Sequence, residues 1–155
     1  MLEQQRDYVL RTVEERGVRL IRLWFTDVLG NLKSFAISPA ELENALEDGM
    51  TFDGSSIDGF SRIQEADVLA IPDPNTFEVL PWGDPKAVEA RVFCDIHNLD
   101  GTPFEGDPRQ VLRRATARLA ERGWQLRTGI EPEFFLLRQT AQGFEAADPH
   151  DRLDK

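Results

Sequence analysis

The chain has 155 residues, of which 41% are hydrophobic and 30% are charged, so it is long enough to bury a core in one domain or slightly more. The formal net charge of −10 argues against nucleic-acid binding, because phosphates require clustered lysine and arginine. The N-terminal residues are polar, which argues against a secretory signal, and no apolar run is long enough to span a membrane. A single cysteine, Cys94, excludes an internal disulfide, so we expect a cytoplasmic protein.

The first predicted elements are a helix and a strand. Apolar side chains recur on one side of residues 2–16, and Gly17 is a typical helix end, so we predict an N-terminal helix here. The hydrophobic period then changes to two, because Ile21, Leu23 and Phe25 alternate with other side chains. This alternation predicts a strand with one buried face.

The return arm of a hairpin and a second helix follow. Residues 27–31 carry turn residues, and residues 32–37 form the second arm. Ser38, Pro39 and Glu41 supply three helix-start signals: a capping residue, a proline at the first helical position and the acid of a capping box. The apolar stripe of this helix comprises Leu42, Ala45 and Leu46.

The next stretch is predicted to be a long exposed loop with a carboxylate at its start. Asp53 and Gly54 form a turn dipeptide, because aspartate bonds to nearby backbone and glycine tolerates positive φ. Two serines follow, and a second acidic cluster ends at Asp67. A plain surface turn and a loop that delivers Asp53 into another site both fit this pattern.

Short extended runs complete the first region, at residues 68–71, 77–80 and 88–96. The succession of strand, strand, helix and further strands predicts an α+β fold, in which one helix crosses a small mixed sheet. A β-grasp module is the most similar architecture. We place this domain at residues 18–101, after the N-terminal helix at 1–17, and we place the start of a second, incomplete α+β domain at 102–155.

Asp107 and Pro108 open another predicted helix, the first of the second domain. We expect its apolar side chains to face inward: Val111, Leu112, Ala115 and Leu119. We expect its arginines to form a solvated basic face, because no aromatic residues interleave with them: Arg109, Arg113, Arg114, Arg118 and Arg122.

A pair of acids, Glu131 and Glu133, lies in residues 124–138, which we predict to form a strand or a hairpin pair. Strand side chains alternate, so both carboxylates point to the same face, about 6–7 Å apart. Their repulsion would be relieved by a hard divalent cation such as Mg²⁺ or Mn²⁺. An acidic strand edge that prevents aggregation and a glycosidase-type acid pair stay open as alternatives. Beyond residue 139 we expect a polar loop.

Taken together, these residues resemble the glutamine synthetase family. Residues 52–56 and 65–67 are similar to its N-terminal signature, and residues 131–135 are similar to the start of its metal site. Order and spacing agree across nearly the whole chain, with the pattern of the bacterial type I branch, and residues 22–30 resemble actinobacterial members. Ala70 stands where the family usually has a larger apolar residue, which indicates a divergent member.

The resemblance implies an ATP-dependent ligase that joins ammonia to the γ-carboxylate of glutamate through γ-glutamyl phosphate. Two divalent ions, Mg²⁺ or Mn²⁺, would lie between ATP and glutamate, with Glu131 on the ion at the phosphates and Glu133 on the other. Asp53 would bind ammonium and help remove its proton in the active site of a neighbouring subunit, and Ser56 would contact the same pocket. A homo-oligomer with active sites between subunits, a dodecamer, is implied as well.

The resemblance covers only an N-terminal portion of that family. We therefore expect the chain to be inactive alone, because the other metal ligands, the nucleotide pocket and the glutamate-binding arginines would lie beyond residue 155. Two other functions stay open. One is a paralogue that joins glutamate to a polyamine or another amine, and the other is a truncated, non-catalytic β-grasp interaction module.

Overall fold

The computed structural model describes residues 2–54, 67–148 and 150. The chain divides into two compact units, Met1–Trp124 and Gln125–Lys155. The α-helices within the described ranges are α1 Leu2–Glu15, α2 Leu42–Asp48 and α3 Pro108–Ala120, and two short 3-10 helices lie at Pro39–Glu41 and Pro74–Thr76. The strands are β1 Leu20–Thr26, β2 Leu32–Ile37, β3 Met50–Asp53, β4 Asp67–Pro72, β5 Glu78–Val79, β6 Glu89–His97, β7 Leu137–Thr140 and β8 Gly143–Ala146.

A mixed sheet forms the centre of the first unit. Its strands lie in the order β2-β1-β6-β4-β3, and β5 pairs with β6. Strands β1 and β6 run parallel, whereas the other neighbouring strands run antiparallel. Helices α1 and α2 contribute buried residues to the core on one face. This arrangement confirms the predicted α+β, β-grasp-like architecture.

The hydrophobic core lies on one face of the sheet because side chains alternate along each strand. Ile21, Leu23 and Phe25 of β1 are buried, as the alternation predicted. Each fully buried aliphatic side chain contributes about 1.5–3 kcal/mol. The core also contains Val9, Val13, Val18, Ile37, Leu42, Ala45, Leu46, Val68, Ala70, Phe77, Ala90, Val92, Cys94 and Ile96. The apolar stripe predicted for α2 is thus confirmed.

The turn between β1 and β2 is held by Asp27, which is fully buried. Its carboxylate accepts hydrogen bonds from the backbone N–H groups of Leu29 and Asn31 at 2.9 and 2.8 Å, and from Asn31 Nδ2 at 3.0 Å. Lys33 Nζ lies 3.7 Å away. These contacts fix the hairpin from within and leave Val28 and Leu29 exposed at its tip.

The predicted start signals begin a short 3-10 helix, Pro39–Glu41, that leads directly into α2, and α2 ends at the predicted glycine. The Glu41 carboxylate accepts hydrogen bonds from Ser38 N–H and Oγ, both at 2.8 Å. Gly49 follows the helix with φ of 79°, and a Cβ atom there would lie 2.9 Å from Leu69 Cγ and 3.0 Å from the Ala70 carbonyl oxygen. Glycine therefore lets the chain leave α2 while passing close to β4.

The stretch predicted to be a loop around Asp53 begins as a strand instead. Met50–Asp53 forms β3, which pairs antiparallel with β4. The loop was predicted to start at Asp53, so the prediction was wrong for this residue, and the strand was missed because the turn chemistry of Asp53 and Gly54 masked the alternation before it. In that alternation, Met50 and Phe52 pack against the core and Thr51 and Asp53 are exposed.

Helix α3 is anchored to the sheet through charged groups. Asp107 caps the helix, accepting from Arg109 N–H at 2.9 Å and from Ile96 N–H of β6 at 2.8 Å. Burial raises the pKa of the Asp107 carboxyl, although these two hydrogen bonds act to lower it. Arg109 donates to Asp95 and Asp73 at 2.9 and 2.8 Å.

A second arginine of α3, Arg113, joins the same cluster. It donates to Asp95 at 2.7 Å and lies 3.4 Å from Asp73. The prediction of a solvated basic face was therefore wrong for Arg109, whereas Arg113 is exposed as predicted while it also pairs with these acids. The acids that pair with them lie far away in sequence, so helical periodicity could not reveal the cluster.

Most of the apolar stripe predicted to face inward on α3 is exposed instead, namely Val111, Leu112 and Ala115, whereas Leu119 is partly buried. Val111 and Leu112 are 51% and 58% exposed, and Gln110 is the residue of this helix that is buried. The prediction was wrong because the charged contacts of Arg109 and Arg113 orient a different side of α3 toward the sheet. An apolar stripe therefore remains on the solvent side of this helix.

The described residues of the second unit form a short hairpin. Strands β7 and β8 pair antiparallel, and Thr140 lies opposite Gly143. The polar loop predicted beyond residue 139 was wrong, because Gly143 adopts a φ of 129° that lets the chain turn. Residues 125–136 form no regular secondary structure, so the strand predicted over 124–138 was also wrong except at its C-terminal end.

The described residues include no helix that is both long and apolar enough to traverse a lipid bilayer.

Cys94 is fully buried in β6, and burial raises the pKa of its thiol, so it packs as a small apolar residue. The predicted domain limits at residues 17 and 101 stay predictions.

Candidate functional site

The candidate catalytic residue Asp53 lies at the C-terminal end of β3, at one edge of the sheet. The residue before it is anchored, because the Phe52 ring packs 5.0 Å from the ring of Phe25 and 5.2 Å from that of Phe35. Alternation along the strand then places Asp53 on the exposed side. An accessible carboxylate therefore follows directly after a residue held by the core.

Asp67, the first residue of β4, lies opposite Asp53 in the register. Directly opposed residues of an antiparallel pair have Cβ atoms about 4.5–5.5 Å apart, and like charges there repel each other. A cation at this end of the sheet would relieve that repulsion. The sequence showed both acids, but only the pairing of β3 with β4 brings them opposite each other.

The candidate substrate contact Ser56 lies outside the described residues, as do Glu65 and the rest of the acidic cluster before Asp67. The chain leaves the described range after Gly54 and re-enters it at Asp67.

The candidate metal ligands Glu131 and Glu133 belong to the second unit. Both are exposed and lie in residues 125–136, which have no regular secondary structure. The expectation that a strand places both carboxylates on one face is therefore wrong in this structure. Pro132, which lacks a backbone donor, separates the two acids and removes one of the hydrogen bonds that a strand would need.

Carboxylate oxygens are the donors that Mg²⁺ and Mn²⁺ prefer, so the donor chemistry of Glu131 and Glu133 fits a hard divalent ion. Two carboxylates supply only part of an octahedral coordination sphere. Within residues 2–54, 67–148 and 150, no three histidine, cysteine, aspartate or glutamate side chains gather to hold a metal ion. The glutamates can therefore contribute to a metal site but do not form one with the described residues.

Two family models match the chain in succession. The model described as glutamine synthetase, beta-Grasp domain, matches residues 17–99. The model described as glutamine synthetase, catalytic domain, matches residues 105–154. Asp53 falls in the first match, and Glu131 and Glu133 fall in the second.

Curated proteins named glutamine synthetase are similar in sequence. The protein from Mycobacterium tuberculosis is 55% identical over 139 residues, which cover 88% of this chain and 31% of the relative. The one from Mycolicibacterium smegmatis is 51% identical over 152 residues, which cover 97% of this chain and 34% of the relative. The chain thus spans about a third of the length of the curated relatives it matches.

Solved structures of GmaS are similar in fold. One is a complex with ADP, with a TM-score of 0.64 and 29% sequence identity over 74% of this chain and 26% of that chain. Another is GmaS without ligand, with a TM-score of 0.65 and 29% identity over 73% of this chain and 26% of that chain. These similarities include proteins from actinobacteria and extend over most of the described fold.

Proposed function

This chain belongs to the glutamine synthetase family, and on that premise we propose that the complete protein is an ATP-dependent ligase that joins ammonia to the γ-carboxylate of glutamate. The observation that carries the proposal is the succession of β-grasp and catalytic-domain matches along one chain. In the proposed reaction, glutamate takes the γ-phosphoryl group of ATP, which leaves ADP and an acyl phosphate. Ammonia then attacks the acyl carbon and phosphate departs.

Asp53 binds the ammonium ion in this proposal. Its carboxylate attracts NH₄⁺ by charge and accepts a hydrogen bond, and it then takes the proton so that neutral ammonia carries the lone pair needed for attack. The exposed position of Asp53 beside the core-anchored Phe52 supports this role. Asp67 adds negative charge opposite it in the register, which favours a cation at the same place. Ser56 is proposed to contact the same pocket.

Glu131 and Glu133 contribute carboxylate ligands for two divalent ions in the complete protein. When bound, Mg²⁺ or Mn²⁺ neutralises charge on the transferring phosphoryl group and orients it. Glu131 is assigned to the ion at the ATP phosphates and Glu133 to the ion nearer glutamate. Their exposure in this chain supports the view that further ligands come from other residues of the complete protein.

The complete protein is proposed to be a cytoplasmic homo-oligomer, a dodecamer, with active sites between subunits. The edge position of β3 supports this arrangement, since an exposed residue at the end of an edge strand can reach a neighbouring chain. The single buried cysteine is compatible with a reducing compartment.

A chimera tests the proposed function. This chain replaces the matched third of the Mycolicibacterium smegmatis relative, and phosphate release is measured with ATP, glutamate and ammonium. We expect release that depends on all three substrates. The double variant Glu131→Gln/Glu133→Gln is expected to abolish it without changing the size of the assembly in sizing chromatography.

Two outcomes contradict the proposal. Phosphate release with putrescine but not with ammonium would assign the amine-ligase alternative. A folded assembly that releases phosphate with neither amine would assign the non-catalytic interaction module.

A further inference from the structure

A groove that the candidate site does not use lies beside the C-terminal end of α1. Its volume is about 590 Å³, which is in the range of small-molecule sites. Its apolar lining, the floor of the groove, comprises Val13, Val18 and Leu42, together with Leu10, Pro39, Pro85 and Val88. The first three of these side chains are part of the buried core, so the floor is continuous with the packed interior.

The walls of the groove are fixed by backbone hydrogen bonds. Helix α1 ends in a Schellman motif, in which Val18 N–H donates to Val13 O at 3.0 Å and Gly17 N–H donates to Glu14 O at 3.1 Å. Gly17 takes the left-handed conformation that this motif requires, with φ of 61°. Because these carbonyl groups already accept hydrogen bonds, the end of the helix presents little unpaired negative charge to the groove.

A second backbone bond joins the two sides of the groove. Arg19 N–H donates to Val88 O at 2.7 Å, which ties the residue before β1 to the residue before β6. The groove is therefore largely preformed, and a ligand would not have to order it on binding.

The rim of the groove is basic in a chain whose net charge is −10. Arg16, Arg19 and Lys86 line it together with a single acid, Glu14. Within the described part of the chain, none of these three cations forms a salt bridge, whereas Arg109 and Arg113 are paired with two aspartates. Cations held beside an apolar floor without an acidic partner favour an anion that also carries apolar surface.

We propose that this groove binds a small amphipathic carboxylate, with its head at Arg19 and Lys86 and its aliphatic chain on Val13, Val18 and Val88. A guanidinium fork can donate two parallel hydrogen bonds to one carboxylate, and Lys86 adds a point charge. The aliphatic chain replaces water over the apolar floor, which supplies the remaining affinity. None of Asp53, Glu131 and Glu133 lines this groove, and the inference does not depend on their proposed roles.

The test uses sodium octanoate as the probe and the full 155-residue chain. Methyl resonances of Val13, Val18 and Val88 are followed by NMR during titration. We expect saturable shifts at these three residues, and weaker binding of octylammonium, which has the same chain and the opposite charge. The double variant Arg19→Gln/Lys86→Gln should weaken octanoate binding by about tenfold, and Arg118→Gln on α3 serves as a control that leaves it unchanged.

Four results would overturn the proposal. Equal binding by the double variant would remove the role of the basic rim, and equal binding of octylammonium would reduce the site to a nonspecific apolar surface. Shifts confined to the exposed apolar residues of α3 and the second unit would place the probe elsewhere. If an acidic peptide shifted the three valines while octanoate did not, the groove would be a peptide-docking surface instead.

Discussion

The two units of the chain differ in the burial of their apolar residues. In Met1–Trp124, alternating residues of the strands are buried in a continuous core, and Leu23 has no exposed surface. In Gln125–Lys155, Ile130 is 90% exposed, and Phe134, Phe135 and Leu136 are between 67% and 78% exposed. Residues 20–26 and residues 130–136 are both rich in strand-forming apolar residues. Only residues 20–26, which form β1, pair with a neighbouring strand on each side.

The difference shows that an apolar run forms a strand only where another strand can accept its backbone hydrogen bonds. Candidate functional residues occur in both units. Asp53 stands on the packed unit, and the two glutamates stand on the exposed one. We therefore expect substitutions in the two units to act through different physical effects.

The largest expected effect concerns the acid of the packed unit. In the chimera, Asp53→Ala should reduce turnover at limiting ammonium by about 10²- to 10⁴-fold, because the substitution removes the base that accepts the ammonium proton. ATP binding, measured by calorimetry, should stay unchanged. Asp48→Ala, which removes an exposed acid at the end of α2, is the matched control. Unchanged rates at limiting ammonium would refute the role of Asp53.

A pair of leucines measures the contrast in packing directly. Leu23→Ala should lower the free energy of unfolding by about 2–5 kcal/mol, because it leaves a cavity in the core. Leu136→Ala should change it by less than about 0.5 kcal/mol, because Leu136 is already 67% exposed. Urea titration followed by circular dichroism gives both values. Equal losses would mean that the second unit has a core of its own.

A smaller effect is expected at the hairpin turn of the packed unit. Burial acts to raise the pKa of Asp27, but hydrogen bonds from Asn31 and Leu29 and the charge of Lys33 outweigh it and lower the pKa below its ordinary value of 3.8. The stabilisation that comes from the Asp27 carboxylate is therefore present above that value and lost as pH falls through the lower pKa of the folded state.

Thermal melts of Asp27→Asn test this sign. At pH 7 the variant should melt roughly 2–5 °C below the unchanged chain, and the difference should shrink as pH falls below the ordinary aspartate pKa toward about 2. Asp48→Asn is the control, since this exposed acid has no such set of hydrogen bonds. A difference that stays constant across this range would contradict the assignment.

The smallest effect is expected for magnesium. Calorimetry of the chain alone should show weak Mg²⁺ binding or none, because two exposed carboxylates do not complete a coordination sphere. Glu131→Gln/Glu133→Gln should give the same trace. Micromolar binding that disappears in this double variant would show that the second unit assembles a metal cage by itself.

Local patterns predicted most of the first unit. The alternation of Ile21, Leu23 and Phe25 predicted β1. The start signals at Ser38 and Glu41 predicted the helical stretch that leads into α2. These signals act over a few residues, so they can be recognised without a structure. Strand β3 was missed because the turn residues at its end were given more weight than the alternation before them.

Long-range pairing determined the rest. The partners of Arg109 and Arg113 and the register of Asp53 with Asp67 join segments that are distant in sequence. Spacing along one helix or strand carries no information about such partners. The exposed state of residues 125–136 likewise reflects which strands are present to pair with them.

By itself, the sequence determined the family, the α+β class and the chemical types of the candidate site residues, because these depend on residue identity and short-range order. Only the tertiary structure decided that Asp53 ends an edge strand opposite Asp67 and that Glu131 and Glu133 lie on no strand. It also decided that three unpaired cations surround an apolar groove within the described residues. The physical reason is that pairing and burial depend on which segments meet in space, and one stretch of residues does not specify its neighbours.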